Sequence, residues 1–96
     1  MDKQEFKQKA KQGIDEIFVK IDGLEAKKDV VKDEVKEKYT EQIEDLKSKK
    51  YDLQEKYNWL IESADDKWEE TKISFTKAFD SFKDGLADIA DLFKKS

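Results

Sequence analysis

The sequence contains no cysteine, no histidine and no proline, and only three glycines among its 96 residues. Without cysteine and histidine the chain cannot form disulfides, cysteine or histidine zinc sites, or the Ser-His and Cys-His pairs of nucleophilic enzymes. Without proline, no residue forces a helix to end. These absences favour a long-helix protein without catalytic machinery.

Arginine is also absent, so all 20 basic residues are lysine, and the 24 acidic residues leave a net charge of -4. Nucleic-acid binding requires a positive surface and commonly uses arginine forks, so no nucleic-acid partner is predicted. No stretch approaches the roughly 20 apolar residues of a membrane-spanning helix. The first five residues also lack the apolar segment of a secretory signal. The predicted location is therefore the cytoplasm.

Charged residues make up 46% of the chain and hydrophobic residues 36%, a ratio typical of helices that each bury one narrow stripe. Apolar positions recur at steps of three and four from Ala10 to Val35, and again from Leu46 to Ala64. This heptad spacing is typical of coiled coils. We predict one all-α coiled-coil domain over residues 1–96, whose first helix covers about residues 3–62 and is roughly 90 Å long.

A turn is predicted near residues 62–65, where Ser63 is a candidate N-cap and acidic residues follow at the start of the next helix. The second helix, about residues 64–94, then folds back to give a long antiparallel helical hairpin. Small residues from Ser74 to Gly85 lie along one flank and predict close approach of a neighbouring helix. The predicted hairpin core comprises Leu46, Leu53, Tyr57, Leu60, Trp68, Phe75, Phe79, Phe82, Leu86, Ile89 and Phe93.

The second helix is too short to cover the whole first helix, so an apolar stripe on the first third is left bare. A bare stripe of that size on a soluble protein predicts an interface. We predict that it pairs with a second copy, giving a homo-oligomeric helical bundle. The predicted interface residues are Phe6, Ile14, Ile17, Phe18, Ile21 and Leu24. The alternative is a bend at Asp22-Gly23, which gives a monomeric three-helix bundle.

The residues predict no catalytic, cofactor or metal site, and the protein is predicted not to be an enzyme. The aspartates at 80, 84, 88 and 91 share one helix face and cannot surround a cation, so they are interpreted as a solvated surface. The phenylalanine stripe of the second helix is interpreted as core, because the opposite face is acidic and interfacial helices usually carry basic residues there. Binding to a membrane or lipid surface is the alternative function.

Two pairs of residues near the core have open interpretations. Trp59 and Trp68 flank the predicted turn and are expected to close the end of the hairpin. Lys28 and Lys50 occupy stripe positions. Either their stems lie along the core while their amines reach water, or they form polar layers that fix register and oligomeric state.

Several segments share a further pattern. They are Asp15-Glu16, Lys20-Ile21-Asp22, Leu24-Glu25-Ala26-Lys27, Tyr39 to Lys49, Ser63 to Lys72, Phe75, Ala78-Phe79-Asp80 and Phe82-Lys83. They are spread from residue 15 to residue 83, and over nearly its whole length the chain resembles a family of small bacterial coiled-coil stress-response proteins. The resemblance implies a stress-linked helical protein and carries over no catalytic or binding residue. Gly23 departs from the family pattern, which keeps the bend open, and the richness in phenylalanine favours an apolar target.

The sequence therefore predicts a non-enzymatic structural or interaction protein that acts through coiled-coil association, with a protective role in bacterial stress. Its predicted partner is itself, as a dimer or higher oligomer, or another helical protein.

Overall fold

In the computed structural model, which describes residues 2–95, the chain forms three long helices and no strand. Helix α1 covers Lys3–Ala26, α2 covers Asp33–Glu62 and α3 covers Trp68–Lys95, and a one-turn 3₁₀ helix, Asp65–Lys67, precedes α3. The bundle measures 50 × 18 × 15 Å. The predicted all-α fold is confirmed.

The three helices run up, down and up, so α1 and α3 are parallel neighbours. Ring contacts join them at matching heights. The Phe6 and Phe75 ring centroids are 6.2 Å apart, and those of Phe18 and Phe82 are 5.8 Å apart. The Lys27 ammonium lies 4.9 Å from the Phe93 ring centroid near the other end. This order places the side of α1 against the side of α3 over most of their length.

The prediction of one helix over residues 3–62 is wrong, because α1 ends at Ala26 and residues 27–32 form a turn. The bend also does not lie at Asp22-Gly23, since both residues remain inside α1. The chain turns without proline, glycine or any positive φ angle among the described residues. Folding α1 back buries its apolar stripe in the same chain, and this burial outweighs the local preference for a continuous helix.

Short-range hydrogen bonds build the turn at residues 27–32. The backbone N–H groups of Lys27 and Lys28 donate to the carbonyls three residues earlier, each at 3.1 Å. The Tyr39 hydroxyl donates a hydrogen bond to the Leu24 carbonyl, which lies in the last turn of α1, where carbonyls lack helical partners. Val31 is buried and anchors the turn to the core. The turn is therefore held by α2 as much as by its own residues.

The second turn lies where the sequence places it, between Glu62 and Asp65. The capping role predicted for Ser63 is wrong. Ser63 ends α2, and its hydroxyl donates to the Leu60 carbonyl at 3.1 Å. Ala64 precedes the 3₁₀ helix instead, and its side chain has no capping hydrogen bond. Asp65 and Asp66 follow in the first turn, where the positive end of the helix dipole favours acidic side chains.

All three helices contribute to one core. Of the expected hairpin core, eight members are buried: Leu46, Leu53, Leu60, Trp68, Phe75, Phe82, Leu86 and Ile89. Tyr57, Phe79 and Phe93 are half-buried against it. Further buried positions are Ala10, Val31, Tyr39, Ile43 and Leu92.

The stripe assigned to self-association lies inside this same core, which corrects its assignment as a bare surface. Ile14, Ile17 and Ile21 are buried, while Phe6, Phe18 and Leu24 are half-buried and pack against the core. The turn at residues 27–32 folds α1 back, so α2 and α3 of the same chain cover its apolar stripe.

Candidate interaction surface

Two apolar recesses lie along the boundary between α1 and α3. The larger has a volume of about 540 Å³, and its lining residues are Ile17, Lys20, Gly23, Leu24, Lys27, Lys83, Leu86, Ala87 and Ala90. The smaller has a volume of about 240 Å³ and is lined by Phe6, Lys9, Ala10, Phe75, Thr76 and Phe79. No residue of α2 lines either one, so both open on the side of the bundle away from α2. We call the two recesses together the α1–α3 groove.

Small residues give the larger recess its width. A Cβ on Gly23 would meet no atom within 4 Å, so α1 leaves open space beside α3 at this height. On α3, Ala87 and Ala90 present only methyl groups to the recess. Ile17 and Leu86 are buried and form its floor. An apolar floor with short walls on both sides can receive bulky apolar side chains.

A close contact between the helices separates the two recesses. A Cβ on Gly13 would lie 2.8 Å from Cζ of Phe79, so the ring of Phe79 fits against α1 only because residue 13 lacks a side chain. The Phe79 ring centroid is 5.7 Å from that of Phe75, which lines the smaller recess. The groove therefore consists of two recesses with the Gly13–Phe79 contact between them.

Lysines border the groove on both sides. Lys9 and Lys20 line it from α1, Lys27 lines it from the turn directly after α1, and Lys83 lines it from α3. The ammonium of Lys72, also on α3, lies 5.3 Å from the Phe6 ring centroid. No acidic residue lines either recess. In a chain of net charge -4, this border is a local concentration of positive charge.

The lysine stems lie against aromatic rings at the edges of the groove. The Lys83 ammonium is 5.8 Å from the Phe79 ring centroid, and the Lys27 ammonium is in contact with the Phe93 ring. Such cation–π contacts hold the stems along apolar surface while the charged ends remain in water. The positive charges are thus held beside the apolar floor.

The shifted pKa values belong to two ion pairs between elements and to one buried tyrosine, all outside the lining of the groove. The Lys47 ammonium, 2.7 Å from a Glu25 carboxylate oxygen, donates a hydrogen bond that lowers the pKa of Glu25 and raises that of Lys47. A hydrogen bond from Lys3 likewise lowers the pKa of Asp65. Burial raises the pKa of the Tyr39 hydroxyl. These groups join α1 to the rest of the bundle.

Other residues singled out in the sequence occupy different positions. Trp68 is buried and makes an edge contact with Phe6, with ring centroids 5.7 Å apart. Trp59 is 46% exposed and stacks under Lys56 at 4.2 Å, so only one tryptophan closes the end of the bundle. Lys50 lies 4.8 Å from the Phe18 ring centroid, which fits a stem packed along the core.

The aspartates of α3 at positions 80, 84, 88 and 91 are exposed. Within residues 2–95, no group of three or more acidic side chains is arranged to hold a metal ion.

Phe6, Ile17 and Leu24, which the sequence predicted for an interface, line the α1–α3 groove, but the contribution of α3 was not predicted. Part of the signal is present, because Lys9, Lys20 and Gly23 recur on one side of α1. Its meaning depends on α3 lying beside α1, which the turn at residues 27–32 decides.

No protein-family model, curated protein or solved structure matches the chain. None of the helices in the described part of the chain contains an apolar stretch that could cross a membrane. The stress-response resemblance therefore stays a prediction, and the functional proposal rests on the geometry of the bundle.

Proposed function

We propose that the protein is a non-enzymatic interaction protein that binds a further helix along the α1–α3 groove. The observation that carries this proposal is the larger recess, where Leu24, Ala87 and Ala90 leave apolar surface accessible between α1 and α3 that no element of residues 2–95 covers. Binding of an amphipathic helix in an apolar groove is a common mode of protein recognition. A helix in this position would complete a four-helix bundle.

The dimensions of the groove suit a helix. Along α1 and the residue that follows it, the groove extends from Phe6 to Lys27, a length of about 32 Å at 1.5 Å per residue. A helix of about 20 residues has the same length. Side chains in neighbouring packed helices interdigitate when the axes are about 8–10 Å apart, and the small residues Gly23, Ala87 and Ala90 permit that approach. The two recesses, of about 540 and 240 Å³, would receive the large apolar side chains of that helix.

The partner proposed here is a different helical protein. Burial of Ile14, Ile17 and Ile21 in the core of their own chain favours a different helical protein over a second copy paired through the α1 stripe. Two copies packed groove to groove would bring their lysine borders together, and like charges in contact are unfavourable. The resemblance to stress-response proteins supports a stress-linked role for this binding, and the cytoplasm remains the proposed location.

Binding to an anionic lipid surface is a second candidate function, favoured by the lysines beside the apolar floor. The acidic surface weighs against it, because the chain has a net charge of -4 and α3 carries exposed aspartates at positions 80, 84, 88 and 91. An anionic lipid surface repels these charges.

A designed peptide tests the proposed function. The probe is a fluorescent 20-residue helix with a leucine stripe and uncharged glutamine flanks, titrated with the protein by fluorescence anisotropy. We expect saturable binding to the wild-type chain. Gly23→Leu should weaken it at least about tenfold, because the new side chain fills the larger recess.

Val19→Leu is the matched control, since Val19 also lies on α1 but is 70% exposed and lines neither recess. Thermal melting checks that both variants fold. Binding that is equal in wild type and Gly23→Leu would reject the groove as the binding surface.

A further inference from the structure

We infer that the helix received by the α1–α3 groove is acidic, with Asp or Glu residues along both edges of its apolar stripe. This partner chemistry depends on the proposed function, because it specifies what binds in the same groove. The lysines support an acidic partner, whereas the apolar residues of the groove support the binding of a helix.

The positive charges lie on both borders of the groove. Lys9 and Lys20 belong to α1, Lys27 directly follows its last residue, and Lys72 and Lys83 belong to α3. The ion pairs of residues 2–95 use other lysines, so these five ammonium groups remain available to a partner. A helix lying between two borders presents one flank to each, as the e and g positions do in coiled coils. Acids are therefore expected on both flanks.

The spacing of the lysines sets the spacing of the acids. Lys20 and Lys27 are seven residues apart, which is two helical turns or about 10.5 Å. Lys72 and Lys83, like Lys9 and Lys20, are eleven residues apart, which is about three turns or 16.5 Å. These distances match acids repeated at heptad or eleven-residue intervals on the partner. An irregular anionic chain would not meet both borders at once.

The rest of the surface directs such a helix to the groove. The outer face of α3 carries exposed aspartates at positions 80, 84, 88 and 91, and the whole chain has a net charge of -4. An acidic helix is repelled by that face and attracted by the lysine borders. Complementary charge at the site and like charge elsewhere together give specificity.

Three peptides with the same leucine stripe and with glutamate, glutamine or lysine flanks test the inference. We expect the glutamate peptide to bind about tenfold more tightly than the glutamine peptide at 50 mM salt, the effect of a few partly exposed ion pairs. The lysine peptide should bind most weakly. The difference should shrink at 500 mM salt, since screening shortens the range of exposed charges.

The triple variant Lys20→Gln, Lys27→Gln, Lys83→Gln should lose the preference for the glutamate peptide and keep its affinity for the glutamine peptide. The matched control replaces Lys32, Lys38 and Lys77 by glutamine. It removes the same charge from exposed positions outside the groove and should retain the preference.

Each outcome decides between the two proposals. Equal affinity for all three peptides would overturn the acidic partner and leave the proposed function standing. Binding of none of them would overturn both. Vesicles of mixed phosphatidylglycerol and phosphatidylcholine are the last arm. Tighter binding to these vesicles than to the glutamate peptide, lost in the triple variant, would replace the acidic helix by an anionic lipid surface.

Discussion

Gly85 and Leu46 are packed more closely than a residue larger than glycine at position 85 would permit, because a Cβ on Gly85 would lie 2.7 Å from Cδ1 of Leu46. Leu46 is buried in α2, so its side chain has little room to move away. This contact explains why α3 carries a glycine in mid-helix, where glycine costs about 1 kcal/mol relative to alanine. Gly23 is the opposite case, since its missing side chain leaves open space.

The two glycines therefore predict opposite effects of one substitution. Gly23→Ala should raise the free energy of unfolding by up to about 1 kcal/mol, since the helix gains without a clash. That corresponds to a Tm higher by about 4–8 °C in a domain of this size. Gly85→Ala should lower the Tm, because overpacking costs about 1–3 kcal/mol and exceeds the helix gain. Thermal melting by circular dichroism measures both, and a similar rise in both would contradict the packing at Gly85.

Phe82→Ala should destabilise the whole bundle. Phe82 is fully buried and contacts Phe18 of α1, so its removal leaves a cavity and costs about 3–5 kcal/mol. Urea unfolding followed by circular dichroism gives the difference. Ile73→Ala is the control on the same helix, because Ile73 is 52% exposed and surface changes are usually within about 0.5 kcal/mol. Similar losses in the two variants would refute the assignment of Phe82 to the core.

Tyr39→Phe should weaken the attachment of the end of α1. The substitution removes the hydroxyl that donates to the Leu24 carbonyl and leaves the buried ring in place, at a cost of about 1 kcal/mol. The loss should be local, so amide hydrogen exchange should speed up around residues 24–30 more than in the middle of α2. Tyr51→Phe is the control, since Tyr51 is 78% exposed. Unchanged exchange at residues 24–30 would show that the turn does not depend on this hydroxyl.

The bundle should lose stability in acid. The folded pKa values of Glu25 and Asp65 are lower than their ordinary values of 4.5 and 3.8, so each contributes stability above the ordinary value that is lost as the pH falls through the folded one. The urea midpoint should therefore be lower at pH 3 than at pH 6.5. Lys47→Met removes the partner of Glu25 and should reduce this difference. Lys49→Met is the control and should leave this difference unchanged, because Lys49 forms none of the ion pairs of residues 2–95.

The sequence predicted the helical content and most of the α2–α3 core, because heptad spacing and the stripe of α3 report directly on which side of a helix is buried. It did not predict the turn at residues 27–32. Leu24, Val31 and Val35 keep the stripe in phase across the turn, and no proline or glycine interrupts it. Only Lys28, a lysine at a stripe position, departs from the pattern there.

The α1–α3 groove as a whole could not be predicted from the sequence for a related reason. Gly23 and Ala87 are far apart in the chain, and they line one recess only after α1 has folded back. Conversely, the flank of small residues on α3 could be interpreted from sequence alone, because Gly85 needs only one neighbouring helix to explain it. The packing of α3 against α2 was therefore predicted from the sequence, whereas the position of α1 beside them was not.

The up-down-up order of the helices has a consequence for the direction of a bound partner. Each helix carries a macrodipole equivalent to about half a positive charge at its N-terminus and half a negative charge at its C-terminus. The dipole of α2 opposes those of α1 and α3, so the bundle retains the equivalent of one uncompensated dipole along its long axis. A fourth helix that ran antiparallel to α1 and α3 would cancel it, whereas a parallel one would double it. The groove is therefore directional, and a bound helix is expected to place its N-terminus beside Lys27 and its C-terminus beside Lys9.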